Sequence, residues 1–506
     1  MKFSKLIYLS FVAIIISLAG CSDYLDINED PNNLKELQSY EPVIPVSQVN
    51  IGNALMGYEM GITGAFWAQY WTALHTHGQF KAVDDYDEDD FNNAYSNLVS
   101  SALTDLKAVI DNSEPGTGSY LIGEALSIFA WQIVTDTWGD VPYFEALRGD
   151  EQLYSPKFDA QRDIYVDLLA RIDALLAMDF SDAEFESRLD FIYEGDIESW
   201  LEFARSLKLK LMIRVSETDL YNNAAALAFI QQGGFITSNA KLGELSDGSV
   251  IWDDKDGKRH PMVEIESSTS LKGTTIASRT IIDYLIVNND PRIDMLFVAP
   301  AGGHQGGFQG DYDSTFDTDG DGVTDDKESY SYADFDVNAD LVLMSTWEIN
   351  FYIAEVYARA NDPQAKTYYD AAVAASLDFW GASGSITGAT EYAEWVDGTV
   401  EEEIKQIAMQ KWVSYCKVQH MEAVYERNRT KYPSVNLIDI ESDRLFANAN
   451  FPTGDFTLSV EGRAKLNQNV PSTPIYPNAV ITRNTTNPKQ KGSLGEKVWW
   501  DKKSGR

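Results

Sequence analysis

Along the chain, apolar residues recur at helical spacing over long stretches and then lose that rhythm. In QRDIYVDLLARIDALLAM (161–178), Ile164, Leu168, Leu169, Ile172, Leu175 and Leu176 fall at i, i+4, i+5, i+8, i+11 and i+12, one stripe of an amphipathic helix. YLIGEALSIFAWQIVTDTW (120–138), WLEFARSLKLKLMIRV (200–215) and TWEINFYIAEVYARAN (346–361) show the same pattern. The spacing of Trp67, Tyr70, Trp71 and Leu74, at i, i+3, i+4 and i+7, predicts one more helix whose aromatic stripe faces the core.

The helical signal covers about residues 50–230 and returns over 345–430. Between 233 and 345, and again from 433 to 506, periodicity fades, and Gly- and Asp-rich runs such as GGHQGGFQGDYD (302–313) punctuate the chain as loops. No Pro/Ser-rich linker separates these stretches, so residues 21–506 are expected to form a single, mainly α domain with loop-rich insertions. In AEVYARANDPQAKTYYDAAVAAS (354–376), alanines and tyrosines flank the short turn Asn361-Asp362-Pro363, which resembles a tetratricopeptide helix pair. Long loops held by a rigid helical scaffold are where binding residues commonly sit.

The N-terminus adds a location. Lys2 and Lys5 precede thirteen almost wholly apolar residues, Leu6 to Leu18, the charge order and length of an export signal. A membrane span needs roughly 20 apolar residues, so this run is too short to cross. Leu18-Ala19-Gly20-Cys21 resembles a bacterial lipobox, which predicts removal of residues 1–20, acylation of the Cys21 thiol and a lipid anchor; a plain signal peptide is the alternative. Cys416 is then the second of two cysteines, leaving no intramolecular disulfide in the mature chain, and its apolar surroundings predict a buried structural thiol.

Charge narrows the partners. The formal net charge of −38 becomes two units more negative once Lys2 and Lys5 leave, which disfavours nucleic acid and any charge-driven contact with an anionic membrane. With 44% hydrophobic and 12% aromatic residues the chain can bury a large core.

Several separated stretches carry a family resemblance: DTWGDVPYFEAL (136–147), YSPKFDAQRDIYVDLLARID (154–173), YEGDIESWLEFARSLKLKLMIRV (193–215), IIDYLIVNNDPRID (281–294), IAMQKWVSYC (407–416), YERNRTKYP (425–433) and KVWWD (497–501). In this order behind a lipobox, and with DYLDINEDPNN (23–33) after the cysteine, the chain resembles the SusD/RagB family of Bacteroidetes outer-membrane lipoproteins. Asp23 resembles the acidic surface-export signal of that phylum. The resemblance implies a SusD-like helical fold, tetratricopeptide-like pairs supporting a loop-rich ligand face, and no enzymatic activity. It also implies a glycan or oligosaccharide ligand and a SusC-like TonB-dependent transporter as partner. Many members carry a Gly-Trp-Glu element after the QKW helix, where this chain has CKVQHMEAVYE (416–426), which places it in a divergent branch.

The most specific chemical motif is DTDGDGVTDDKE (317–328). Asp317, Asp319 and Asp321 take positions one, three and five, Gly322 supplies the turn at six, the Val323 carbonyl stands at seven, Asp325 at nine and Glu328 at twelve. Ca²⁺ wants six to eight oxygens, and carboxylates crowded this closely repel unless a cation gathers them. The flanks lack helical periodicity, so the expectation is a structural calcium loop without EF-hand helices.

Catalytic signals are weak. Glycoside hydrolysis requires a carboxylate pair that an acid-rich sequence cannot single out, and no nucleophile-elbow, zinc-protease or Walker pattern is present. His75 and His77 could share one side of an extended segment, without a visible third ligand. Sugars stack on flat aromatic faces ringed by polar groups, and the loop aromatics Phe80, Tyr86, Trp252, Phe308 and Tyr312 are the candidates. The reading is a surface lipoprotein that captures glycans for a transporter; a surface glycosidase, or a transporter partner for a peptide ligand, are the alternatives.

Overall fold

The computed structural model describes residues 39–76, 78–269, 271–312, 317, 324–486 and 488–505. Residues 1–38, with Cys21 and the expected export signal among them, lie outside this description. Residues Glu41–Arg506 pack as one unit, and its frame is helical: α1 (Ile44–Leu55), α2 (Gly118–Trp138), α3 (Gln161–Leu176), α4 (Ile197–Arg214), α5 (Pro261–Thr269), α6 (Arg279–Val287), α7 (Thr346–Arg359), α8 (Gln364–Phe379), α9 (Val400–Tyr415) and α10 (His420–Thr430).

The centre is α2. The Thr117 side chain accepts from the Tyr120 amide at its start, and Gly139, at φ +79, closes it by donating to the Thr135 carbonyl. Every residue of α2 except Tyr120 is buried, as expected of a helix packed on all sides. Helix α3 buries Ile164, Leu168, Ile172 and Leu175 of its predicted stripe. Asp196 caps α4, Ser345 caps α7, and Thr399 with Glu402 forms a capping box on α9. The α7–α8 hairpin turns at Asn361 (φ +52) and is zipped by Tyr357 on Tyr368 at 5.5 Å, Phe351 against Tyr369 at 6.2 Å and Trp347 against Phe379 at 4.9 Å. This is the helix pair that the alanines and tyrosines predict.

The stretches that carry the family resemblance converge on a buried ionic lattice. Arg214 of α4 pairs with Asp136 of α2 at 2.9 Å and with Glu422 and Glu426 of α10. Lys210 reaches Glu348 at 2.5 Å and Glu422 at 2.9 Å, while Arg429 reaches Glu355 at 2.6 Å and Glu426 at 2.7 Å. Lys411 of the QKW helix joins Glu426 at 2.7 Å. Burial alone would push the Glu355 carboxyl up, but Arg429 and Arg359 hold it down to about 2. Trp500, near the C-terminus, donates from Nε1 to Asp136 at 2.7 Å, and Tyr165 donates to the same oxygen at 2.5 Å. A second such site ties Asp290 to Arg292, which also donates to Gln410 at 2.9 Å and Ser414 at 3.2 Å.

Two details differ from the periodicity reading. Trp67, Tyr70, Trp71 and Leu74 are buried, but they do not share a helix: the helical turn Gly64–Trp67 ends, and Trp71–Ala73 is strand β1. The break falls at Gln69, held at φ +53, whose side chain donates to the Thr457 carbonyl at 2.5 Å and accepts from Thr280 at 2.7 Å. These tertiary bonds outweigh local helical preference. The region 233–345 also contains α5 and α6, nine residues each, too short for a stripe to stand out over the loops around them.

Candidate functional site

β1 pairs antiparallel with strand β2 (Thr275–Ala277), Thr72 opposite Ile276. On one side of this small sheet lies the glycine-rich 304–310 segment, with Gly307 donating to the Ala277 carbonyl at 3.0 Å and Arg279 to the Gly307 carbonyl at 2.8 Å. The approach is tight: a Cβ on Gly306 would stand 2.5 Å from Arg279 Cα, and one on Gly307 would stand 2.4 Å from Ile276 Cδ1. That closeness explains the glycine pair in HQGGFQG. Along the same edge Ala277 donates to the Ser331 carbonyl at 2.7 Å, and Ser331 donates to the Gln305 carbonyl at 2.8 Å.

Above this floor opens a cleft of 220 Å³, with Arg279, Phe308, His75, Asp283, His304 and Asn448 on its walls. The Arg279 guanidinium lies 5.0 Å from the Phe308 ring centre and 4.7 Å from that of Phe451, and the two rings are 5.5 Å apart. Its donors are held by Asp283 at 2.8 Å and by the Asn448 carbonyl at 3.1 Å, with Asn448 Oδ1 also in contact. Asp311 accepts a two-pronged pair from Arg444 at 2.7 and 2.9 Å. His304 bridges Ser331 at 3.0 Å and Asp294 at 2.9 Å. Burial lowers the His75 imidazole, with Asp311 opposing that drift. The arrangement offers an aromatic and cationic face beside a ring of hydrogen-bonding groups, with both cleft carboxylates engaged by arginines.

Beneath the cleft stands Asp84, wholly buried. It accepts from Thr72 Oγ1 and the Ala73 amide, both at 2.7 Å, and from Gln309 Nε2 at 2.5 Å. Burial without an ion pair pushes its carboxyl up to about 7.

Of the five aromatics singled out in the sequence, Phe308 lines this cleft. Tyr312 donates to the Lys81 carbonyl at 2.6 Å and lies under the Lys81 ammonium at 4.4 Å. Phe80 and Tyr86 are buried, at φ +64 and +54. Trp252 is buried with its ring edge-on to His260, which in turn stacks on Phe335. Arg279, Asn448 and Phe451 escaped the sequence reading, since a lone Arg after a cap serine, an Asn in the six-residue helix Arg444–Ala449 and a single Phe just beyond it carry no motif. Cys416 is a buried free thiol, pushed up by desolvation.

Of the predicted calcium ligands, Asp319, Asp321 and Val323 lie outside the described residues, as does His77. Asp325 is 3% exposed and accepts from Gln305 Nε2 and the Tyr330 hydroxyl, both at 3.3 Å, and those two donors line the cleft. Glu328 is exposed on a short turn capped by Asp326, and Asp317 is half-buried. Among the described residues no cluster of three or more His, Cys, Asp or Glu side chains is placed to hold a metal.

The described residues form a helical unit with a loop-built cleft, and among them no helix is long and apolar enough to cross a membrane. The SusD-like family model, described as starch-binding and associating with the outer membrane, matches residues 36–452, and the chain belongs to that family. A chitin-binding SusD homolog from Flavobacterium johnsoniae superposes with a TM-score of 0.69 at 18% identity over 92% of this chain and 98% of that one. SusD homologs from Bacteroides uniformis (TM-score 0.67, 20% identity, 91% and 99% covered) and Bacteroides thetaiotaomicron (0.67, 21%, 93% and 100%) share the fold. No curated protein matches the sequence.

Proposed function

We propose that this protein is a cell-surface lipoprotein, anchored through Cys21, that binds glycans and passes them to a SusC-like TonB-dependent outer-membrane transporter. The observation that carries the glycan reading is the Arg279–Phe308 pair on the cleft wall, backed by Phe451. A sugar C–H face stacks on such a surface while its hydroxyls meet His75 and Asn448. The family's starch-binding description and the chitin-binding neighbour support the same ligand class. A cleft below the ~300–1,000 Å³ usual for small-molecule pockets suits one unit or the end of a longer chain.

The protein acts by binding rather than cleavage. Asp283 and Asp311 are each tied to an arginine, whereas glycoside hydrolysis needs one carboxyl free to give a proton and another free to attack or activate water. Ca²⁺ in the Asp317–Glu328 loop, with Asp319, Asp321, Val323 and Asp325 as further ligands, would brace the wall of the cleft, because Asp325 already holds Gln305 and Tyr330. The test is calorimetric titration of the mature, lipid-free chain, begun at Ser22, with maltoheptaose and with hexa-N-acetylchitohexaose, followed by chromatography of the mixtures. Binding without products supports the reading. Cleavage, or no heat with either sugar, overturns it.

A further inference from the structure

A second cleft, of 320 Å³, opens where two π-helical segments, Tyr58–Thr63 and Ser96–Leu103, meet helix α5. π-Helical turns are rare and frequently mark functional sites. Tyr58 begins the first segment and is 45% exposed, yet its ring is not loose: it lies 5.5 Å from Phe80, whose ring lies 6.3 Å from buried Phe66. Phe80 thus acts as a pedestal for an exposed aromatic face rather than as the face itself. Gly57, on the cleft lining, has no room for a side chain, since a Cβ there would stand 2.3 Å from the Asn53 carbonyl.

Around this ring stand the side-chain amides of Asn53, Asn93 and Asn97. Glu59 holds the Asn93 side chain in place, accepting from Nδ2 at 2.9 Å and from the Asn93 and Ala94 amides at 3.1 and 2.6 Å. With one Nδ2 hydrogen given to Glu59, the amide plane is fixed, so that Oδ1 can accept from a ligand hydroxyl and the second Nδ2 hydrogen can donate to one. The charge of Arg259, on the opposite wall, is met by Asp254 and Asp256, both at 2.7 Å, and by Glu264 at 3.5 Å. A rigid aromatic face, a fan of amides and no uncompensated positive charge describe a site for a neutral sugar, not for an anionic one.

We propose that the Tyr58 cleft is a second glycan-binding site, selective for neutral hexose or N-acetylhexosamine units, separate from the Arg279–Phe308 cleft. It rests on the glycan reading above in ligand class, but its residues are its own. Two sites on one chain would hold a long polysaccharide at two points, so that releasing one leaves the other engaged.

The mature chain and its Tyr58→Ala, Tyr58→Phe, Phe308→Ala and Tyr58→Ala/Phe308→Ala variants are titrated with maltoheptaose and with hexa-N-acetylchitohexaose, after equal melting temperatures have been checked. The expected result is two sites in the parent protein, one in each Ala variant, at least a tenfold further loss in the double variant, and retention of both sites by Tyr58→Phe. A single site abolished by Phe308→Ala and untouched by Tyr58→Ala overturns this proposal and leaves the first cleft standing. Loss with Tyr58→Ala but not with Phe308→Ala does the reverse, and no binding of either sugar to the parent protein overturns both.

Discussion

Arg279 lies with its guanidinium 5.0 Å from the ring centre of Phe308 and 4.7 Å from that of Phe451, and is itself fixed by Asp283. A flexible arginine over a flexible ring would lose much of its interaction energy to ordering, but here both partners are set before any ligand arrives.

The first prediction follows from that preorganisation. Phe308→Ala and Arg279→Ala should each weaken glycan binding by roughly two- to thirtyfold, because stacking and cation–π contacts are each worth about 0.5–2 kcal/mol in a desolvated setting. Arg279→Lys should rescue little, since an ammonium cannot lie flat over two rings and hold Asp283 and Asn448 together. Calorimetry reads the effect, and an unchanged affinity in both Ala variants would remove the cleft as the site.

A second prediction concerns the ionic lattice. Arg214→Met leaves Asp136, Glu422 and Glu426 without their shared cation in a wholly buried setting. Stripping one partner from a buried network costs about 3–5 kcal/mol. Trp500→Phe removes one donor from Asp136 and should cost roughly 1–3 kcal/mol. Urea unfolding followed by tryptophan fluorescence should rank Arg214→Met well below Trp500→Phe, and both below the parent protein; equal midpoints would mean that the lattice is energetically neutral.

These residues explain how much the sequence could say. Asp136, Arg214, Lys411, Glu426 and Trp500 all sit in stretches that carry the family resemblance, and each serves the lattice rather than the ligand. The scaffold was legible because buried charges demand particular partners at particular helix positions. The cleft was not, because its walls come from residues 73–75, 276–283, 304–311, 330 and 448, brought together by tertiary contacts that leave no periodic trace. Phe308 and Phe80 were both found as loop aromatics, the first in a glycine-rich run and the second just after the expected 67–74 helix; Phe80 lies beneath Tyr58, and sequence alone could not tell the two situations apart.

Asp84 yields a pH prediction with a defined sign. Its carboxyl is raised by burial to about 7, against 3.8 unexposed to such burial, so the folded protein holds this proton more tightly than the unfolded chain does. The associated stability is fully present below about pH 4 and is lost as pH rises through about 7, with an upper bound of roughly 4 kcal/mol at about 1.36 kcal/mol per pH unit. Buried His260 and His420, lowered to about 3 and about 4, act in the opposite sense, adding stability as pH rises towards the ordinary histidine range. Asp84→Asn isolates the first effect. The difference in unfolding free energy between Asp84→Asn and the parent should grow in favour of the variant from pH 5 to pH 8; a flat difference would show that Asp84 does not titrate in this range.

Lipid anchoring through Cys21 is tested by location. Cys21→Ser should abolish labelling with a fatty-acid probe and shift the protein from the membrane fraction to the soluble one. The thiol at Cys416 gives no second acceptor, since it is buried. Undiminished labelling in Cys21→Ser would place the lipid elsewhere.

The calcium prediction links the acidic loop to the cleft. Gln305 and Tyr330 line the cleft and both donate to Asp325, so ordering the loop that carries Asp325 should stiffen one wall of the ligand site. Removing Ca²⁺ with a chelator should therefore lower the melting temperature and weaken glycan binding together, and both should return on adding Ca²⁺ at about 1 mM, within the range of extracellular calcium modules. Asp319→Ala with Asp321→Ala should reproduce the chelated behaviour in the presence of Ca²⁺. A melting temperature indifferent to chelator and to both substitutions would reduce the loop to a solvated acidic turn, and a shift in stability without any change in affinity would confine the metal to the loop itself and uncouple it from the cleft wall.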